Sequence, residues 1–406
     1  MRVLIIGLGG VSRVFRNWPE RTLGQALVQA GHTVDAITYR QPQTPQLGLT
    51  AHFEEIDGIR VRRVKPQFFP ARELLATLRK LPRPDIVHLF HPRNVLAWSA
   101  VRWLRAQRVP LVWTWNGPFH DRWLVADRER PYETQPRPER LIYCLQHVVR
   151  RTLHDARLRD NVRNYFIHEP LRYVDAFIPC SRHEAEVLDL MGFADRPKTI
   201  VPQWLDMDFM TGPTPKLDLP LTRPIIPYIG QLTVRKCYDM VIGAMPMVVQ
   251  RFPQASFVFV THNPEQRANL QQMAVDLGVA RNLHFLGTIS EEEKLALLRA
   301  SDVLPFPSRY EGFGLPILEG MATDTPVIST DIPVINELID HNKNGILIPY
   351  DDTAALARAM LEVMENQALR ERLVVGGQRA IAERFCPQRR VAQVIQCYTE
   401  VQRKRH

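Results

Sequence analysis

Residues 309–320 read RYEGFGLPILEG. Two carboxylates, Glu311 and Glu319, bracket a loop with Gly312 and Gly314 and the start of a helix at Leu315 and Pro316. Glycine lets the backbone adopt conformations closed to bulkier residues, and proline suits a first helical turn. The amide groups at such a start attract anions, so two acids beside it need a reason. One is plain: Glu319 in the first turn, favoured by the helix dipole, and Glu311 as a solvated loop residue. The other is a ligand with a diphosphate, a ribose and a sugar. Amides would then meet the phosphates, and the two carboxylates would accept hydrogen bonds from sugar and ribose hydroxyls.

A second stretch, YIGQLTVRKCYDM (228–240), carries matching chemistry. Gly230 ends an apolar run, and Arg235 and Lys236 precede a helical pattern. A lysine there can reach a diphosphate as a point charge, helped by helix N–H groups. Otherwise it is a solvated surface lysine. Paired carboxylates also serve glycoside hydrolysis, at separations of about 5–5.5 Å or 6.5–9.5 Å, but a lysine-bearing turn suits a phosphorylated donor better than attack by water. The N-terminal GLGGVS has Gly7, Gly9 and Gly10 but Ser12 in place of a third glycine, and the strand after it, VDAITYR, brings no carboxylate for a ribose. This argues against a dinucleotide fingerprint and for a tight turn or a backbone approach to some other ligand.

Short apolar runs position these groups. RVLIIG, VDAITYR, DIVHLF, PLVWTW and VDAFIPC in the first half alternate with helical stretches, the pattern of a parallel, doubly wound sheet. The stretch 211–224 holds four prolines and no periodicity, and reads as a linker. Beyond it IIPYIG, SFVFVTH, LHFLGT, VLPFPS, PVIST and GILIPY repeat the alternation. The expected organisation is residues 1–212, with an arginine-rich insertion at about 120–172; residues 221–386; and a helix over 387–406 returning to the first domain. Ligands bind at the carboxyl ends of such strands, and two domains of this kind would face each other across a cleft.

The chain of 406 residues carries a formal charge of +9, which suits an anionic partner. Five scattered cysteines form no C-x-x-C pair, so reduced thiols and no metal site are expected. The N-terminal apolar run is short for a secretory leader, and no stretch approaches the ~20 apolar residues of a membrane span. The expected location is cytoplasmic, with the inner face of the membrane as the alternative address. In 145–166 apolar positions recur at roughly helical spacing among five arginines. Either this is an ordinary packed helix with a solvated basic face, or it is a peripheral membrane contact. No aromatic-basic module for nucleic acid is present.

The chain resembles the retaining glycosyltransferases of family 4, of GT-B fold, over nearly its whole length. The most specific match is E-x7-E, here EGFGLPILE from Glu311 to Glu319, preceded by Pro307-Ser308 and followed by GMATDTPVIST. GQLTVRKCYDMVI, VDAFIPCSRHEAEVL, LHFLGTISEEEKLALLRASDVLPFPS and FCPQRRVAQVIQCY match the family's frame as well. The resemblance implies hexose transfer from a UDP- or GDP-linked sugar to a glycan, lipid-linked or small-molecule acceptor, with retention and without metal or cofactor. It implies Glu311 on the transferred sugar, Glu319 on the ribose, Lys236 on the diphosphate and Gly10 against donor or acceptor. It also places Gly230, Gln231, Arg235, Gly312, Phe313, Gly314 and Leu315 around the donor, and the backbone near Ile289 beside the base.

Three positions depart from the family. Gln231 stands where an arginine usually shares the diphosphate, a loss of roughly 1.5–3 kcal/mol for one charge-assisted contact; Arg235 is the nearby substitute. Thr114-Trp115-Asn116 replaces T-x-H, leaving His120, or else His91, as a first-domain histidine. Thr261-His262-Asn263-Pro264 replaces a G-x-G-P loop. Gln231 and Asn116 motivate the competing reading, a catalytically degenerate protein that binds glycans or a partner. A nucleotide-sugar epimerase of the same fold is a third reading, with a different signature.

Overall fold

The computed structural model describes residues 1–42, 48–65, 71–91, 94–115, 144–156, 158–261 and 266–404. Two compact units emerge: Leu205–Cys386 is one, and the described residues before it form the other together with the terminal segment Pro387–His406.

The first unit is built on β1 (Arg2–Ile6), β2 (Thr33–Tyr39), β3 (Phe53–Ile56), β4 (Ile59–Val64), β5 (Ile86–Phe90), β6 (Leu111–Thr114) and β7 (Ala176–Phe177). Their order is β3-β4-β2-β1-β5-β6-β7. All pairs are parallel except β3–β4. The apolar runs exist because the sheet is covered on both faces. Leu4 and Ile6 of β1 enter one core cluster, with Leu89, Trp113 and Phe177; Val3 and Ile5 enter the other, with Ala36 and Val112. The terminal helix Pro387–Arg403 seals the second face through Val391, Val394, Tyr398 and Val401, a spacing that lines one side of a helix. Tyr398 also reaches a buried polar pair. The Thr114 hydroxyl donates to the Ile178 carbonyl at 2.9 Å, so His88 Nε2 donates to Thr114 at 2.8 Å and His88 Nδ1 accepts from Tyr398 at 2.6 Å.

The second unit holds β8 (Ile225–Ile229), β9 (Ser256–Val260), β10 (Leu283–Gly287), β11 (Leu304–Phe306), β12 (Val327–Thr330) and β13 (Ile346–Ile348). They form two parallel three-stranded sheets, β10-β9-β8 and β11-β12-β13. The Asp302 N–H donates to the Ile225 carbonyl at 2.9 Å and joins them between β8 and β11. With the edge strand β3 set aside, both units therefore run 3-2-1-4-5-6, the doubly wound order, whose reversal lies between its first and fourth strands.

Several expectations change. The antiparallel edge β3–β4 was not anticipated. Asp57-Gly58, at φ 51° and 78°, forms its turn, and a D-G pair between strands is a strong hairpin signal; the flanking FEEI and IRVRRV are too charged to read as apolar runs. The run 174–180 supplies only the two residues of β7. Two long helices, Thr353–Glu365 and Gln367–Arg384, were not anticipated. The periodic stretch 145–166 is two helices, Leu145–Asp155 and Leu158–His168, because Ala156 takes a left-handed conformation at φ 54° and closes the first. The expected insertion begins at residue 120, outside the described residues, and Asn116 lies outside them too. Among the described residues, no helix is long and apolar enough to cross a membrane.

Candidate functional site

The order reversal of the second unit puts two loops side by side. One follows β8 and runs through Gly230 and Gln231 to a short turn of helix, Val234–Lys236. The other follows β11 and runs to Gly314. The Arg309 N–H donates to the Arg235 carbonyl at 2.8 Å, and Arg235 Nη1 donates to the Tyr310 carbonyl at 2.9 Å. These two bonds fix one loop to the other.

The charged side chains converge across that seam. Lys236 Nζ donates to Glu311 Oε1 at 2.5 Å, and Arg235 Nη1 lies 3.5 Å from Glu311 Oε2. Lys236 Nζ also sits 4.6 Å from the centre of the Phe306 ring. Glu311 is buried, against the expectation of a solvated loop residue. Burial opposes its ionisation, but Lys236 and Arg235 outweigh that and hold the carboxyl below its usual range. Burial pushes Lys236 down, with Glu311 opposing. Two cations on one carboxylate make a locally positive, half-enclosed place at strand ends, the setting in which phosphate oxygens bind.

Gly314 stands at φ 110°, where an L side chain is strained, and it caps the helix Leu315–Ala322. Glu319 is the fifth residue of this helix, with no acid in the first turn, so the first-turn reading is corrected. Its charge is met by a partner the sequence reading missed. Lys294 Nζ, on the helix Glu291–Ala300, donates to Glu319 Oε1 at 2.8 Å and lies 2.8 Å from Glu291 Oε2. Burial works against the ammonium, yet the two carboxylates raise its pKa above the ordinary lysine value; burial raises Glu291. Glu291 and Lys294 share a helix face at i, i+3, which was legible in SEEEKLALLRA. The contact to Glu319 was not, since it spans 25 positions.

The remaining expected donor residues divide. Gly230 would keep ordinary room for a Cβ, the nearest atom being the Tyr228 hydroxyl at 3.6 Å, so packing within the chain does not demand glycine there. Gln231 is exposed, and its carbonyl accepts from Tyr228 at 2.8 Å. Gly312 and Leu315 are half-buried beside the seam. Phe313 turns into the core, edge-on to Phe385, so its ring is a packing element. Ile289 precedes the capping box made by Ser290 and Glu293, and it packs against the cluster of Val258 and Val260.

In the first unit Gly10 lies at the carboxyl end of β1. A Cβ there would stand 1.9 Å from Glu20 Oε2, so the glycine is required by a fully buried carboxylate. Glu20 accepts from His91 Nε2 at 2.8 Å. Burial raises the Glu20 carboxyl, and His91 with the amides of Glu20 and Gly10 brings it below its ordinary value. This pair, Glu20 in the first turn of the helix Pro19–Gln29 and His91 just past β5, was not anticipated. His120 lies outside the described residues, as do His262, Asn263 and Pro264. Among the described residues, no group of three His, Cys, Asp or Glu side chains is placed to hold a metal ion.

Residues 8–209 match the family model "Glycosyltransferase Family 4", and residues 214–379 match "Glycosyl transferases group 1". A phosphatidyl-myo-inositol mannosyltransferase of Mycobacterium tuberculosis (strain CDC 1551 / Oshkosh) is 30% identical over 188 residues, covering 45% of this chain and 48% of the relative. A D-inositol 3-phosphate glycosyltransferase of Xylanimonas cellulosilytica is 26% identical over 243 residues, 57% of this chain and 58% of the relative. The chain thus spans about half the length of the curated relatives it matches. Among solved structures, sucrose-phosphate synthase of Thermosynechococcus elongatus superimposes with a TM-score of 0.72 at 21% identity, covering 99% of each chain. Anabaena Alr3699/HepE in complex with UDP does so with a TM-score of 0.68 at 15% identity, over 98% of this chain and 100% of that one. These likenesses establish the fold, the two-unit GT-B arrangement of Rossmann-like sheets.

Proposed function

The chain belongs to glycosyltransferase family 4, and on that premise we propose that it moves a hexose from a UDP- or GDP-linked sugar to a glycan, lipid-linked or small-molecule acceptor, with retention at the anomeric carbon. One observation carries the reading: Lys236 and Arg235 converge on the buried Glu311 where the strand order of the second unit reverses. In this reading the diphosphate binds over Lys236, Arg235 and the adjoining backbone amides. Glu311 accepts hydrogen bonds from the sugar, and Glu319, held by Lys294, accepts them from the ribose. The bond from the anomeric carbon to the diphosphate oxygen breaks. The acceptor oxygen bonds to the same face and gives its proton to the leaving diphosphate. Positive groups fixed before the reaction stabilise that developing charge without reorganising, and no metal is assigned to the step.

Arg235 supports this reading over the degenerate, non-catalytic one. The missing arginine at position 231 left one diphosphate contact unaccounted for, and Arg235 brings a guanidinium to within 3.5 Å of Glu311.

The test is thermal unfolding with UDP, GDP and their sugars, followed by donor hydrolysis. A ligand at a hundred times its Kd stabilises the folded state by about 2.7 kcal/mol. One nucleotide series is expected to stabilise the protein and release its diphosphate. If no nucleoside diphosphate binds and no donor is hydrolysed, the enzymatic reading fails. Lys236→Ala is expected to lower turnover more than stability, and Glu319→Ala to weaken nucleotide binding; unchanged turnover in both would refute the residue assignment.

A further inference from the structure

Both carboxylates of the acid pair are held by cations. Glu311 has Lys236 and Arg235, and Glu319 has Lys294. Lys294 is an unexpected residue on structural grounds. It is the fourth residue of the helix Glu291–Ala300, whose first turn carries Glu291, Glu292 and Glu293. The dipole at that end of a helix favours acids and disfavours a cation. The Lys294 side chain is also only 16% exposed, so its ammonium sits largely out of water. A buried ion pair seldom stabilises a fold more than apolar side chains of similar volume. An ammonium held there against both effects points to a use other than packing.

The arrangement around Nζ indicates that use. An ammonium has three N–H donors and no acceptor. One N–H goes to Glu319 Oε1 and another faces Glu291 Oε2, each at 2.8 Å. The third has no partner among the described residues. Lys294 lies four residues into the helix that follows β10, and Glu319 lies five residues into the helix that follows β11. Both therefore stand near the carboxyl ends of their strands, where ligands of such sheets bind. A ribose hydroxyl is at once a donor and an acceptor. A carboxylate alone meets only its hydrogen. A carboxylate with an ammonium beside it meets the hydrogen of one hydroxyl and a lone pair of the vicinal one. Glu291 holds the ammonium from its other side, which keeps Nζ beside Glu319.

We propose that Lys294 determines specificity in the donor site: it donates its third N–H to the ribose of the nucleotide, so that Glu319 and Lys294 together read the vicinal diol and reject a deoxyribose. The inference rests on the sugar-transfer reading, in which Glu319 meets the ribose, and adds the ammonium as a second contact. A sugar that lacks one of the two hydroxyls leaves a largely enclosed N–H or carboxylate oxygen unpaired, and that penalty is what discriminates.

The test is calorimetric titration of the full chain with UDP and GDP and with the 2′-deoxy and 3′-deoxy forms of each. For the base that binds, at least one deoxy form is expected to bind about a hundredfold more weakly, since a site built to hydrogen-bond a hydroxyl rejects the analogue that lacks it. Lys294→Met is expected to lower that ratio about tenfold or more, the worth of one charge-assisted hydrogen bond. Lys294→Arg, which keeps a donor, is expected to retain most of the ratio. Lys294→Met also leaves Glu291 and Glu319 facing each other and lowers stability. The double variant Glu291→Leu, Lys294→Met removes that acid together with the ammonium. It is expected to show the same lost discrimination with a thermal midpoint nearer that of the natural chain, which separates lost recognition from lost folding. A ratio unchanged in both variants overturns the proposal, because Lys294 would then only hold two helices together. So does equal binding of ribose and deoxyribose forms by the natural chain. Failure of the sugar-transfer reading is a different result: no nucleoside diphosphate binds and no donor is hydrolysed, and the proposal falls with it.

Discussion

Replacing Lys294 by methionine keeps the length of the side chain and removes its charge. The ammonium stands 2.8 Å from Glu319 Oε1 and 2.8 Å from Glu291 Oε2, so the two carboxylates lie within twice that distance of each other. All three side chains are largely enclosed, with exposures of 16% for Lys294, 5% for Glu319 and 11% for Glu291. At an effective dielectric of about 20, two unit charges about 5 Å apart repel by about 3 kcal/mol. That agrees with the ~3–5 kcal/mol lost when one partner of a buried ion pair is removed. For a domain of this size each kcal/mol moves the midpoint by roughly 2–4 °C, so a fall of about 10 °C is expected. The pH dependence identifies the cause. Burial already raises the Glu291 carboxyl in the folded state, and losing the ammonium raises it further. A folded pKa above the unfolded one means that the folded state binds more protons in that window, so stability rises as pH falls through it. The deficit should therefore be largest at neutral pH and shrink toward the ordinary carboxylate range. Guanidinium unfolding at a series of pH values measures both effects, with Lys294→Arg as the charge-conserving control. A loss below about 1 kcal/mol at neutral pH, or a loss that does not change with pH, would show that the ammonium does not hold the two acids together.

Three further outcomes follow from the geometry. Arg235→Gln should weaken nucleoside diphosphate binding by about 1.5–3 kcal/mol, the worth of one charged hydrogen bond, as read by calorimetric titration; equal affinity would return the role to another residue. Gly10→Ala should cost about 1–3 kcal/mol in denaturant unfolding, because its Cβ would stand 1.9 Å from the Glu20 carboxylate and overpack a closed site; an unperturbed variant would mean that Glu20 moves freely. Burial lowers the pKa of His88 from 6.5 to about 3, so the unfolded chain binds the extra proton between those values. Stability present above pH 6.5 is then lost as pH falls toward 3, by at most about 5 kcal/mol. His88→Gln should flatten that slope in pH-dependent unfolding, and an unchanged slope would assign it to other groups.

Strands buried on both faces must be almost wholly apolar, so β1, β2, β5, β6, β8, β9 and β11–β13 could be read directly as runs, and the half-buried edge strand β10 kept enough of the pattern to be read with them. The helix Leu315–Ala322 was marked by Gly314 and Pro316, and the terminal helix by Pro387. Glu311, Glu319 and Lys236 stood out because an acid pair beside a glycine loop and a lysine at a strand end are unusual choices unless a ligand explains them. The charged hairpin β3–β4 escaped because an edge strand need not be apolar, although Asp57-Gly58 marked its turn. Periodicity also ran through Ala156, since a single left-handed residue ends a helix without altering the spacing around it.

The sequence by itself determined the two α/β units, the loops at their strand ends and the types of charge those loops carry, because burial and turn geometry act on neighbours in the chain. Only the tertiary structure decided which charges meet. Lys236 pairs with Glu311 across 75 positions, Lys294 with Glu319 across 25, and His91 with Glu20 across 71. An ion pair depends on separations of a few ångströms, and for groups on different strands and helices those separations are set by the packing of the elements between them.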